Sequence, residues 1–196
     1  VSRSCEDEAV HQLLELRRRG PEYLSRDGRV AADDLFSAQQ NASVVRDAEG
    51  YYRSMFRGRA ESWNLRDRHM MSTLDALVAF DKTVGGPGKA VVWAHNSHLG
   101  DARATAMASI GELNLGQLTR ERFGKSACLI GMTTHRGSVT AAREWDQPAE
   151  HRQVRPSLAG SYERLFHEVG VPRFLLRLHD RYLEPVLAPA RLERAI

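Results

Sequence analysis

The segment Trp93-Ala94-His95-Asn96-Ser97-His98-Leu99-Gly100-Asp101 gathers two imidazoles, an amide, a hydroxyl and a carboxylate in one short stretch. Histidine is the side chain most readily poised near neutral pH, so a pair of them suits proton transfer with a reacting water. On a continuous strand a separation of three would put His95 and His98 on opposite sides. They converge only if Asn96-Ser97 begin a turn, which these residue types favour. Two readings stay open here: a catalytic pair, or two histidines satisfied by hydrogen bonds in a polar loop. A third would join His95 and His98 to Asp101 as ligands of a divalent ion. H-x-x-H with one carboxylate is a loose metal signature, so no tightly bound metal and no cofactor are expected.

Two other places offer chemistry. Thr133-Thr134-His135 follows an apolar run, as the histidine segment does. It either lines the same crevice or forms a turn with hydroxyl-to-backbone bonds. Arg66 stands beside Asp67 near the start of a helical pattern, where a cation opposes the helix dipole. It pairs with Asp67, faces solvent, or turns its rigid fork to a carboxylate or a carbonyl becoming an oxyanion. Several common signatures are absent. Gly124-Lys125-Ser126-Ala127-Cys128 lacks the last glycine of a serine-hydrolase elbow, and Gly88-Lys89 has Thr83 where a phosphate loop needs its first glycine. No C-x-x-C or H-E-x-x-H occurs.

The elements that must position these residues follow from apolar spacing. Val10, Leu13 and Leu14 predict a helix over Glu6 to Arg19, stopped at Gly20-Pro21. After an Asp27-Gly28 turn, Leu35, Ala38, Ala42 and Val45 keep helical period until Gly50. A third helix is expected from Asn64 as N-cap, with Met70, Leu74, Leu77 and Val78 on one stripe. Gly85-Gly86-Pro87-Gly88 forces its end. Beyond it, Ala90–Ala94, Ala127–Met132 and Phe174–Leu178 have the composition of buried strands. Helical spacing separates them, at Leu115 to Phe123 and at Tyr162, Leu165, Phe166 and Val169. The expected fold class is therefore α/β, a mostly parallel sheet flanked by helices behind a helical N-terminal third. One partial domain spans 1–196, mainly helical over 1–84 and alternating over 85–196. Three such strands leave two open edges, so self-association through an edge is a further expectation.

The 196 residues carry a formal charge of +3, 42% hydrophobic and 27% charged residues. That composition excludes wholesale disorder, and so small a charge gives no argument for nucleic acid. No apolar run is long enough to span a bilayer. The two cysteines, Cys5 and Cys128, cannot build a disulfide framework. A cytoplasmic, reducing setting is the default.

At Val91 to Gly100 the sequence resembles the erythromycin esterase family, which includes proteins labelled as succinoglycan-biosynthesis-like. Tyr51-Tyr52, Ser62 to Asp67, Ile130 to Thr134, Gly137 to Ala142, Pro156, Gly160-Ser161, Glu163 and Pro172 to Leu176 continue it in order. The resemblance, from about Leu35 onward, implies hydrolase activity without a serine nucleophile. In characterised macrolide-inactivating members a histidine is thought to activate water that opens a lactone ester. It places His95 and His98 on the family's second histidine pair, His95 foremost for proton transfer, and Arg66 on its active-site arginine. Asn96, Thr133 and Thr134 are the expected substrate contacts. The implied partner is a small-molecule ester or lactone. Members are longer than this chain, with a preceding Gly-Glu…His segment that adds another histidine and glutamates. The resemblance thus implies an internal to C-terminal portion of a larger domain. A non-catalytic or metal-binding module, or an inactive remnant, is the alternative.

Overall fold

Apolar residues at helical spacing organise the first part of the chain into three long helices, α1 (Glu6–Asp27), α2 (Arg29–Ser54) and α3 (Arg59–Thr83). The structure, a computed structural model, describes residues 6–194 except 28, 57, 145 and 179. Cys5, Gly28 and His179 therefore lie outside the described residues. The described residues form two compact units, divided between Ile130 and Gly131.

In the first unit α1 packs along α2, and α2 along α3. Phe36 of α2 stacks on Phe80 of α3 with ring centroids 4.3 Å apart. His69 of α3 bonds the Asp47 carboxylate of α2 at 2.6 Å. These contacts explain two departures from the expected boundaries. Gly20-Pro21 does not stop α1, and Gly50 does not stop α2, because packing along a partner helix outweighs the local preference of one or two residues. Nor does α3 start at Asn64; it begins five residues earlier, so Arg66 lies beyond the first turn. Its end is as expected. Gly85 and Gly88 take the left-handed conformation, and the Gly88 amide donates to the Asp81 carboxylate at 2.7 Å.

One short helix, α4 (Asn96–Leu99), and a longer one, α5 (Leu115–Phe123), complete this unit, joined by single turns of tighter helix at 102–104 and 108–110. The core consists of Met71 and Leu74 of α3 with Leu115 of α5. Met70, Val78, Leu99, Leu118 and Phe123 pack around it.

The second unit is built on an antiparallel hairpin. Strand β1 (Gly137–Ala141) pairs with β2 (Glu150–Val154) in a register that sets Gly137 opposite Val154 and Ala141 opposite Glu150. Helix α6 (Tyr162–Glu168) follows, N-capped by Ser161, whose hydroxyl accepts from the Arg164 amide at 3.2 Å. A single turn, α7 (Glu184–Leu187), precedes Leu192, which forms a parallel bridge with Ser161.

The expected parallel sheet is not there. Among the described residues the β1–β2 pair is the whole sheet, and it is antiparallel. Ala90–Ala94, Ala127–Met132 and Phe174–Leu178 run without ladder partners, leaving Val91 96%, Trp93 81% and Leu175 84% exposed. The physical reason is that β-branched, apolar composition describes a residue that fits a pleated surface; it does not supply the neighbouring strand. The strands that do form are more polar and were not foreseen. They are joined over residues 142–149, too long a connection for a two-residue hairpin signal.

Burial alone would raise the Asp47 carboxyl. Hydrogen bonds from Arg46 at 2.6 and 2.9 Å and from His69 outweigh that effect and hold it below the ordinary carboxylate value. A depressed carboxyl contributes stability that is complete above the unfolded-state value and lost as pH falls through the folded one. Asp47→Asn should therefore lower the melting temperature near neutrality, with the gap to wild type closing between about pH 5 and pH 2. Thermal melts over that range check it, and an unchanged gap would contradict the assignment.

Candidate functional site

On α3 the residues Asp67, Met71, Leu74 and Val78 recur at i, i+4, i+7 and i+11, so a carboxylate stands in phase with the apolar stripe. Asp67 is fully buried, at 0% exposure. A buried carboxylate is tolerated only when donors surround it. Here one comes from each of two elements. His98 Nδ1 lies 2.9 and 3.0 Å from the two Asp67 oxygens, and the Leu115 amide donates to Oδ2 at 2.8 Å. Leu115 is the first residue of α5, so the carboxylate also sits at the positive end of that helix.

The histidine segment does turn, as its residue types suggest. His95 is the N-cap of α4; its Nδ1 accepts from the Ser97 amide at 3.2 Å and lies 2.9 Å from the Ser97 hydroxyl. The turn gives the two histidines different partners. His98 faces the buried carboxylate of α3, whereas His95 is exposed and bonded to Ser97. Asn96, half-buried between them, accepts the Gly100 amide at its carbonyl oxygen.

Trp63, one turn before Asp67, holds the His98 ring from the side. Its indole stacks on the imidazole with centroids 4.6 Å apart and planes 4° from parallel, and its Nε1 donates to the Leu113 carbonyl at 2.7 Å. The Arg66 guanidinium lies over the same indole, 4.6 Å from the ring centroid. Its Nε is buried and lacks a hydrogen-bond partner. Arg66 therefore neither pairs with Asp67 nor turns wholly to solvent.

A second polar residue fastens the loop. Asn114 is almost completely buried and caps α5. Its Oδ1 accepts from Gln117 at 3.0 Å and Ala102 at 3.3 Å, and its Nδ2 donates to the Ser97 carbonyl at 2.8 Å. Asn64 works alongside it, donating to Gly111 and accepting from Leu113, each at 2.8 Å. Behind them Gly116 is pressed against the 99–100 peptide. A Cβ there would come within 2.3 Å of Leu99 O and 2.2 Å of Gly100 O.

Asp101 belongs to a different arrangement. Arg103 bonds both of its oxygens, at 2.9 and 2.7 Å, and Arg120 lies 3.5 Å away. The hydrogen bonds from Arg103 hold its carboxyl below the ordinary value. Among the described residues no group of three or more His, Cys, Asp or Glu side chains is placed to hold a metal ion. In the second unit, the Thr133 hydroxyl donates to Glu163 at 2.8 Å and that of Thr134 to the Arg136 carbonyl at 2.9 Å.

Comparison with known proteins agrees with the histidine segment. The family model for erythromycin esterase matches residues 1–196, the whole chain. The chain belongs to the erythromycin esterase family. Membership carries a hydrolase-like assignment and extends over the N-terminal helices, beyond the stretch where single motifs are readable. No solved structure matches the chain. No helix among the described residues is long and apolar enough to cross a membrane.

Asp67, Trp63 and Asn114 were not singled out by residue type. The available signal for Asp67 was its phase with the apolar stripe. For Asn114 it was an amide directly before a helical run. Gly116→Ala should destabilise the chain by about 1–3 kcal/mol, because the obstacle is backbone rather than a side chain able to turn away. Asn114→Ala should cost a similar amount, leaving two amides and a carbonyl unmatched. Denaturant unfolding measures both, and a neutral result at either position would show that the loop is not fastened there.

Proposed function

We propose that the chain carries the water-activating part of a hydrolase that opens a small-molecule ester or lactone, with His98 as general base. The reading rests on the bond between His98 Nδ1 and the buried Asp67 carboxylate. An acceptor-only carboxylate fixes the imidazole proton on Nδ1 and leaves the Nε2 lone pair available. Nε2 takes a proton from water as the water oxygen bonds to the carbonyl carbon. The resulting imidazolium remains paired with Asp67, and when the tetrahedral intermediate collapses it returns the proton to the leaving alkoxide. Arg66 is the proposed partner of the oxyanion, its guanidinium steadied on Trp63. His95 takes a secondary part. Its Nδ1 accepts from the Ser97 amide, which fixes the ring's orientation at the start of α4. Asn96 remains a proposed substrate contact.

This differs from the order expected from the sequence, in which His95 came first. Turnover of an ester or lactone substrate tests it. His98→Ala and Asp67→Asn should each cut turnover by roughly 10²–10⁴-fold, the usual scale for a positioned base. In Asp67→Asn the amide can donate to Nδ1, which moves the imidazole proton to Nε2 and removes the base while keeping the shape. Arg66→Lys should also be damaging, since a point charge does not replace a planar fork. A His95→Ala variant slower than His98→Ala would return the base to His95.

A further inference from the structure

The β1–β2 ladder ends at Gly137 opposite Val154, and Arg136 and Arg155 are the residues directly beyond that last pair. Like charges gathered at the end of a strand pair repel one another unless an acid lies close by. Here neither arginine has an ion pair among the described residues. Both line a groove of about 660 Å³ at this end of the hairpin, with Gly137, Gln153, Val154 and Pro156.

The groove is held in shape from behind. The Ser157 amide donates to the His135 carbonyl at 2.9 Å, and the Ser157 hydroxyl lies 2.6 Å from His135 Nδ1. His135 in turn stacks on His167 at 3.7 Å. Arg194 Nη2 donates to the Arg155 carbonyl at 2.6 Å and reaches the His135 carbonyl at 3.5 Å. The residues just before Arg136 and at Arg155 are thus tied together, bringing a third guanidinium whose Nε is buried without a partner. The nearest buried acid, Glu163, is already engaged by Thr133 and the Arg194 amide. The positive field is felt locally: His135 is held below its ordinary value by burial first, then by His167, Arg164, Arg136 and Arg194.

We propose that this groove binds a small organic dianion of phosphate type, its oxygens held by the Arg136 and Arg155 forks and its apolar part against Val154 and Pro156. Planar forks match phosphate oxygens in paired hydrogen bonds, and two cations lining one groove are best balanced by a dianion. The site lies wholly within the second unit and stands apart from the esterase reading.

Benzylphosphonate is a suitable probe, with benzyl alcohol as its neutral counterpart. Titration calorimetry on the full chain, at constant ionic strength set with chloride, should show saturable binding of the phosphonate and none of the alcohol. Arg136→Gln and Arg155→Gln should each weaken binding about tenfold or more. Arg143→Gln, which removes an exposed cation of the same hairpin connection, paired with Glu150 at 3.1 Å, should leave it unchanged. Saturating phosphonate should raise the melting temperature of the wild type and not of the double variant. Absence of binding, binding retained by the double variant, or equal loss in Arg143→Gln would each overturn the proposal.

Discussion

A charge removed from water is the constraint around which the first unit is arranged. Asp67 sits on the apolar face of α3 with no exposure, where an ionised carboxylate survives only with donors in place. His98 and the Leu115 amide are those donors, and they belong to α4 and α5. One carboxylate therefore fixes the position of two elements at once. Met71 and Leu74 below it then meet Leu115, so the core and the polar site share a boundary. Removing the acid would leave an imidazole and a helix-terminal amide without a partner. The site and the fold here are one structure, and the polar network specifies where the apolar contacts fall.

That arrangement explains what could and could not be read from residue order. Helix spacing is a local property, and it served well at Leu115–Phe123 and Tyr162–Glu168, whose ends match the glycines that follow. It served badly where a neighbour decides. Pro21 and Gly50 lie inside helices because α1, α2 and α3 support one another. The three apolar runs read as strands for the same kind of reason, since composition reports a residue's preference and pairing depends on a partner elsewhere. For the site, the histidine pair and Arg66 were visible as chemistry-bearing types. Their division of labour was not. Which imidazole meets a buried carboxylate depends on the α4 turn and on Asp67, 31 positions away. Asn114 and Gly116 act through backbone contacts that residue types alone do not announce.

The second unit solves a similar problem with weaker means. Among the described residues it has no fully buried apolar side chain, and buried polar residues hold it instead: Ser157, Ser161 and Glu163. Glu163 joins Thr133 to the Arg194 amide, while Ser161 and Tyr162 meet Leu192. Burial alone would raise Glu163; these donors prevail and hold it below the ordinary value. Each bond contributes modestly in net terms, but losing one leaves a buried group unsatisfied, and that asymmetry makes the set cooperative.

The two units share a further feature. Several carboxylates are taken up internally: Asp67 by His98 and Leu115, Asp101 by Arg103, Asp47 by Arg46 and His69, and Glu163, at one of its oxygens, by Thr133 and Arg194. Part of the polar capacity left over is cationic. Arg66 and Arg194 each keep a buried Nε without an acceptor, and Arg136 and Arg155 line one groove with no ion pair among the described residues. Guanidinium groups never lose their charge in a protein, so they cannot relieve the imbalance by titrating, as a buried carboxyl or lysine would. An acceptor from outside the chain can balance the exposed pair, Arg136 and Arg155. On the two readings proposed above, that capacity serves negatively charged oxygen, transient at a carbonyl under attack in the first unit and permanent on a bound anion in the second.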